Sequence, residues 1–149
     1  MRGRRISTAL IVAAGAALAI APSAGATATP YVKHGRISVA APGSTDQVTV
    51  THHGKLPTVK QGEYVAYFTT FEGSPVGHCN PYGLDTGGNP TRPKRQSAKL
   101  DPSTAMEWGN GETPNWCTGK WLAQAFVYKK KNGAYHPRLV FSRKEFTIG

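Results

Sequence analysis

The chain has 149 residues, with 18 Lys and Arg against eight Asp and Glu, which gives a formal net charge of +10. This length fits one domain. The excess of basic residues either favours anionic partners (acidic wall polymers, nucleic acid or acidic protein faces) or serves solubility alone. The small number of acidic residues leaves little material for catalysis by paired carboxylates.

The N-terminal segment predicts export. A basic start, MRGRR, precedes an apolar run and the small residues Ala24-Gly25-Ala26, so residues 1–26 are predicted to be a secretory signal peptide. The apolar run is shorter than the roughly 20 residues of a membrane-spanning helix, and no transmembrane segment is expected. Residues 27–35 are predicted to form a flexible tail and residues 36–149 one domain. We expect a secreted, extracellular protein, exported by the general or the twin-arginine route.

The remainder of the chain lacks sustained helical spacing. Short runs of valine, threonine and aromatic residues alternate with Gly, Pro and Asn, a pattern typical of β-strands. The predicted strands are Arg36–Ala41, Gln47–His52, Glu63–Phe71, Arg95–Leu100, Thr104–Trp108, Lys120–Lys130 and Arg138–Ile148. About seven strands in a single domain predict an all-β sandwich.

The strands differ in how apolar residues alternate. Within Gln47–His52 valine alternates with threonine, which predicts one buried face and a position near a sheet edge. In EYVAYFTTF and KWLAQAFVY both alternate sets are apolar. We expect these two strands to be central, or to be covered on their outer face by a loop or a partner.

The segment KKKNGAYHP predicts a hairpin. Asn132-Gly133 is the preferred pair for a two-residue type I′ turn. The turn would place Lys131 opposite Ala134, with the pairing continuing along both strands.

The two cysteines, Cys79 and Cys117, are predicted to form one disulfide, the simplest arrangement in an exported chain. It would close a loop of about 39 residues, worth about 4 kcal/mol in the chain-entropy model. The segment Gly77–Arg95 is rich in Gly, Pro and basic residues, and we interpret it as a long loop tethered by this bridge.

Candidate catalytic and metal patterns are weak. His78 beside Cys79 would be a thiol and its base only if the cysteine were free. Glu107 and Glu112 lie among tryptophans, as in sugar sites, but nothing fixes their separation. His52 and His53 are neighbours on a strand and point to opposite faces, so they do not chelate one ion together. We expect no enzyme activity, no catalytic residue, no metal and no cofactor.

The predicted partner-binding residues lie in the tethered loop and in the segment before the second cysteine. Their side chains are of types that often anchor protein interfaces, and loops held by a rigid sandwich are common binding sites. The predicted residues are Tyr82, Arg92, Lys94, Arg95, Trp108 and Trp116. The basic residues of the loop and of Lys129–Lys131 also predict weak binding to polyanions, because no aromatic residues interleave the charges in TRPKR.

From Gln47 the chain reads QVTVTHHGKL, then GEYVAYF and GHCNP, and it closes with a hairpin ending in EFTIG. This order resembles small exported immunoglobulin-like domains of actinobacteria, of which the neocarzinostatin-type apoproteins are the best-known set. The similarity covers Gln47 to Pro81 and the last strand. It implies an immunoglobulin-like antiparallel β-sandwich. That family carries two short-range disulfides and an acidic surface, so the resemblance does not extend to its chromophore.

These features predict a secreted, non-enzymatic binding or adaptor domain that docks another exported protein. Secreted toxin assemblies of actinobacteria use small disulfide-bonded sandwich adaptors, to which this chain is similar in class. The alternatives are a carrier or lectin-like module for a small molecule or a glycan, and a small secreted hydrolase.

Overall fold

The computed structural model describes residues 28–40, 43–102 and 115–149, which contain strands and no helix. The strands are β1 (Arg36–Ala40), β2 (Val48–His53), β3 (Glu63–Phe71), β4 (Tyr82–Asp85), β5 (Ser97–Leu100), β6 (Gly119–Lys131) and β7 (Ala134–Ile148). The predicted strand Thr104–Trp108 and the predicted signal peptide lie outside the described residues. β4 lies within the segment that we interpreted from its sequence as a loop.

The strands form two antiparallel sheets, with the orders β1-β2-β5 and β4-β3-β6-β7. The predicted all-β, immunoglobulin-like sandwich is therefore confirmed. β3 and β6 are central, in agreement with their two apolar faces. β2 is also central, so the prediction of an edge position was wrong. Its alternation has another cause: Val48 and Val50 are buried between the sheets, while the threonines face outwards.

The core lies between the two sheets. The smaller sheet contributes aliphatic side chains, among them Val50 and Leu100, and the larger sheet contributes the large rings Tyr67, Trp121 and Phe141. The larger sheet also has a second apolar cluster, on the face turned away from this core. Its central strands are thus apolar on both sides, although packing against the smaller sheet requires apolar residues on one side only.

β6 and β7 form the predicted hairpin. Their register begins with Lys131 opposite Ala134 and continues as predicted to His136 opposite Lys129. Asn132 and Gly133 have positive φ values of 51° and 76°, as a type I′ turn requires. The hairpin is the longest strand pairing among the described residues and places three lysines at one end of the larger sheet.

The segment before β1 lies along β7. Tyr31 forms a parallel bridge with Val140, and the amides of Val32 and His34 donate to carbonyls of β7 at 3.0 and 2.8 Å. Gly35, with a φ of 61°, then directs the chain to the other sheet. A Cβ at Gly35 would meet the backbone carbonyl of the neighbouring strand β2. Backbone groups of Pro30, Val32 and His34, within the segment predicted as a flexible tail, are thus hydrogen-bonded to the sheet edge.

Cys79 and Cys117 form the predicted disulfide, with Cα atoms 4.7 Å apart, and neither cysteine is free. The bridge joins the segment before β4 to the segment before β6. It is reinforced by backbone hydrogen bonds, in which Asn80 donates to Asn115 at 2.7 Å and Cys117 donates to Asn80 at 3.1 Å.

A charged pair fixes the start of β3 against β7. The guanidinium of Arg138 donates to both carboxylate oxygens of Glu63, at 2.6 and 2.9 Å, and the amide of Lys60 donates to the same carboxylate at 2.9 Å. Glu63 is buried. The hydrogen bonds from Arg138 hold the pKa of the Glu63 carboxyl below its ordinary value, although burial acts in the opposite direction.

The Glu63 carboxylate is expected to make folding stability depend on acidity. Because its pKa is lower in the folded than in the unfolded chain, its contribution is present above the unfolded pKa and is lost as the pH falls through the folded pKa. Glu63→Gln should lower the free energy of unfolding by about 1–3 kcal/mol at pH 7. Urea unfolding of both proteins should show this difference shrinking as the pH falls below 4.5, the ordinary pKa of a glutamate. Glu145→Gln, an exposed change, serves as the control, and a pH-independent deficit in Glu63→Gln would contradict the assignment.

Candidate binding face

The larger sheet presents aromatic side chains on the side turned away from the core. Tyr64 and Phe68 on β3 alternate with core residues, and the register places Tyr128 of β6 opposite Tyr64 and Leu84 of β4 opposite Phe68. We call this surface the aromatic face. Its large members are Tyr64, Phe68, Tyr82, Leu84, Phe126, Tyr128, Tyr135 and Val140.

The ring pairs of the aromatic face form two groups. Tyr128 lies 5.7 Å from Tyr64 and 5.4 Å from Tyr135, and Phe68 stacks on Tyr82 at 6.1 Å, measured between ring centroids. Offset and edge-on pairs at these distances stabilise each other beyond their area burial. The rings are therefore held in place by the sheet and by their neighbours.

No second layer of strands or helix covers the aromatic face in the part of the chain that the structure describes. Phe126 and Tyr128 are buried, whereas Tyr64, Phe68 and Tyr135 are only partly buried. Side chains that alternate with a core on a solvated sheet face are ordinarily polar. The aromatic face thus has a buried centre and half-buried rings at its margin.

The loop between β4 and β5 borders the aromatic face. The Tyr128 hydroxyl donates to the carbonyl of Thr86 at 2.6 Å, and the amide of Val65 donates to the carbonyl of Pro93 at 2.9 Å. The loop thus leaves β4, passes the Tyr128 ring and returns beside β3. Arg92 and Lys94 are exposed in this part of the loop. Together with Lys129–Lys131 of the hairpin, they give this end of the face a cationic border.

A pocket of about 360 Å³ opens at the hairpin end of the aromatic face. It is lined by Gly62, Tyr64, Thr86, Gly88, Tyr128, Lys129, Lys130 and Tyr135. Burial raises the pKa of the Tyr128 phenol, and the hydrogen bond to Thr86 opposes that change. The pocket therefore has a neutral phenol at its wall and ammonium groups at its rim.

Three predicted site residues lie at or beside the aromatic face. Tyr82 is on β4, stacked on Phe68 at one end. Arg92 and Lys94 are exposed in the bordering loop near the other end. The loop prediction itself was wrong over residues 82–85, which pair with β3 as a strand.

Arg95 is held by its own chain. Its guanidinium donates to both carboxylate oxygens of Asp85, at 2.7 and 3.1 Å, and it packs on Gly87, whose φ is 55°. The carbonyl of Arg95 also accepts the Tyr67 hydroxyl at 2.6 Å. Arg95 therefore ties the two ends of the β4–β5 loop together, and its predicted contact with a partner stays a prediction.

Trp116 is a core residue, only 1% exposed. Its indole N–H donates to the carbonyl of Asp46 at 2.9 Å, and its ring meets Trp121 edge-on at 5.6 Å. The prediction that it anchors a partner is corrected, since it has no surface to offer. Trp108, also predicted as an anchor, lies outside the described residues, as do Glu107 and Glu112.

A second concavity, of about 330 Å³, lies at the disulfide end. Phe71, Trp116 and both bridged cysteines line part of it, and Val76 at its rim is 88% exposed. With Cys79 in a disulfide, the pair His78 and Cys79 has no thiol to act as a nucleophile.

The neighbouring histidines of β2 make separate hydrogen bonds. The Nε2 of His52 donates to the carbonyl of His34 at 2.8 Å, and the Nε2 of His53 lies 2.7 Å from the Ser38 hydroxyl. In residues 28–40, 43–102 and 115–149, no group of three or more His, Cys, Asp or Glu side chains could hold a metal ion.

The tyrosines of the pocket were not among the predicted binding residues. Tyr64 and Tyr128 belong to the two runs whose alternate sets are both apolar, and that signal pointed to a covered outer face. Tyr135 follows the turn and carried no signal of its own. Its place beside Tyr128 depends on the hairpin register, in which it faces Lys130.

Across residues 28–40, 43–102 and 115–149 we find no helix with the length and apolarity needed to cross a membrane. Comparisons of the chain with protein-family models, with curated proteins and with solved structures found no match.

Proposed function

We propose that this protein is a secreted, non-enzymatic binding domain that docks another exported protein on its aromatic face. The observation that carries the proposal is the group of half-buried rings on the outer side of the larger sheet, Tyr64, Phe68, Tyr82 and Tyr135, which surround the buried Phe126 and Tyr128. Such a cluster loses little conformational entropy on binding, because the sheet already fixes the rings. Aromatic side chains also dominate the energetics of protein interfaces.

The charges at the border of the aromatic face favour an acidic partner. Arg92, Lys94 and Lys129–Lys131 are exposed, whereas Asp85 on β4 is already paired with Arg95. A cationic border steers an acidic surface towards the apolar centre and fixes its orientation. The sequence resemblance to exported immunoglobulin-like domains, the predicted signal peptide and the disulfide support a secreted context.

Charge reversal beside the aromatic face tests the docking proposal. Immobilised mature protein should capture one acidic protein in stoichiometric amount from the culture supernatant, with release by salt. Arg92→Glu with Lys94→Glu should weaken capture at least tenfold, because two attractive contacts become repulsive. Lys99→Glu is the matched control: Lys99 is exposed on β5 of the other sheet, and its reversal should leave capture unchanged.

Two outcomes of the same experiment would contradict the proposal. Equal weakening by Lys99→Glu would mean that net charge alone governs capture, and full capture by Arg92→Glu with Lys94→Glu would place the interface elsewhere. Tyr82→Ala adds a test of the apolar centre, since Tyr82 stacks on Phe68 without entering the core between the sheets. It should weaken capture while the melting temperature changes little.

A second candidate, a carrier or lectin-like module, is favoured by a different observation. The pocket at the hairpin end is concave and is lined by tyrosine rings and lysines. A flat docking surface does not need such a concavity. A chromophore or glycan that stays with a monomer during purification would support this candidate over protein docking.

A further inference from the structure

The pocket at the hairpin end has walls of two kinds. Tyr64, Tyr128 and Tyr135 supply rings, while Thr86 and Gly88 bring polar backbone from the neighbouring loop. The volume, about 360 Å³, falls in the range of small-molecule sites, roughly 300–1,000 Å³. A fully apolar ligand would cover the phenol groups of the lining without offering them new hydrogen bonds, and the loss of their contact with water would oppose binding. The lining therefore suits a ligand with both an apolar face and many hydroxyl groups.

The three rings are arranged around the pocket at fixed angles. Tyr64 is tilted by 35° to Tyr128, and Tyr135 meets Tyr128 at 61°. The Tyr128 hydroxyl gives its proton to Thr86, so its oxygen remains an acceptor for a ligand hydroxyl. The C–H face of a pyranose ring packs on an aromatic ring while its edge hydroxyls form hydrogen bonds. A sugar ring meets both requirements at once.

The charge of the lining is positive. Lys129 and Lys130 border the pocket, and the ammonium of Lys130 lies 5.4 Å from the centre of the Tyr135 ring. No carboxylate lines the pocket. The two acids adjacent to lining residues along the chain, Glu63 and Asp85, are paired with Arg138 and Arg95. An anionic ligand would therefore meet two ammonium groups without an opposing negative charge.

We infer that this pocket binds an acidic sugar, a hexuronic acid ring of an anionic polysaccharide, with its ring against Tyr135 and its carboxylate towards Lys130. This inference deepens the second candidate function, the lectin-like module, because it names the ligand of the same pocket. It does not depend on protein docking, since glucuronate binding and partner capture are measured separately. On this inference, the basic residues at the pocket bind a polyanionic polysaccharide through one of its sugar rings.

Titration of the mature protein with glucuronate, followed by NMR of the backbone amides and tyrosine rings, tests this inference. Saturable shifts should centre on the pocket residues. Glucose, the neutral control, should bind more weakly, and benzoate, a flat anion, should bind more weakly than glucuronate. Tyr135→Ala should reduce the affinity for glucuronate about tenfold through loss of the stacking ring, and Tyr82→Ala should leave it unchanged.

Lys130→Gln separates charge from shape. Lys130 is exposed, so this variant should fold even if Tyr135→Ala does not. It should lower the affinity for glucuronate about threefold and leave glucose binding as it was, whereas the matched change Lys99→Gln on the other sheet should affect neither. Absence of saturable shifts with glucuronate, equal affinity for glucose, or an unchanged affinity in Lys130→Gln would overturn the inference. Tighter binding of benzoate would assign the pocket to aromatic acids instead.

Discussion

Trp116→Ala is expected to lower the free energy of unfolding by about 3–5 kcal/mol, the usual cost of removing a large buried ring. The side chain is fully enclosed and packs against Trp121. Its N–H also donates to the carbonyl of Asp46, so the truncation leaves a cavity and removes this hydrogen bond. Chemical denaturation followed by far-UV circular dichroism would measure the loss.

Tyr82→Ala is the matched control for Trp116→Ala, because Tyr82 is a ring on the outer side of the sheet. It should cost far less stability than Trp116→Ala and should affect partner capture more. The reverse pattern, a stable Trp116→Ala protein that no longer captures its partner, would return Trp116 to the role of an interface anchor and contradict its place in the core.

Cys117→Ser is expected to lower the free energy of unfolding by about 2–5 kcal/mol, the usual loss when a native disulfide is removed from a small exported domain. The bridge spans 38 positions along the chain, so its removal enlarges the unfolded ensemble substantially. Cys117 is also buried, and the serine would place a hydroxyl among apolar groups. Denaturant midpoints of the variant and of the wild-type protein, with and without reductant, would give the difference.

Two results would contradict the role assigned to the bridge. Thiol titration of the unfolded, unreduced wild-type protein should find no free thiol, and finding two would remove the disulfide. Cys79→Ser with Cys117→Ser should be about as unstable as reduced wild-type protein, because both lack the same restraint. A double variant as stable as the oxidised protein would show that the hydrogen bonds of Asn80 are sufficient to hold this end of the sandwich.

The parts of the fold that depend on local sequence were predictable. The β6–β7 hairpin follows from Asn132-Gly133, whose backbone preference sets the register of both strands. β4 was missed because it is short and carries Gly83 in its middle, a residue that ordinarily weakens a strand. A Cβ there would approach the Thr69 hydroxyl at 2.7 Å and the Trp116 ring at 3.1 Å. The reason for the glycine thus lies in residues distant along the chain.

The candidate site was only partly predictable, because it also depends on contacts between residues that are distant along the chain. The sequence indicated an apolar outer face on β3 and β6, and it singled out Arg92 and Lys94, which are exposed. It could not show that Arg95 pairs with Asp85 or that Trp116 reaches Asp46, 70 positions away. Both contacts require the sheets to be assembled. The pocket needs three strands and a loop in register, so no single stretch of sequence contains it.

The segment that lies along β7 has a consequence for aggregation. β7 is the last strand of its sheet, and the hydrogen bonds made by Pro30, Val32 and His34 occupy backbone groups at Val140 and Phe141. Unoccupied strand edges pair with other chains and nucleate intermolecular sheets. Removal of residues up to His34 would expose these backbone groups. Residues 30–34 therefore protect the sandwich from edge-to-edge association.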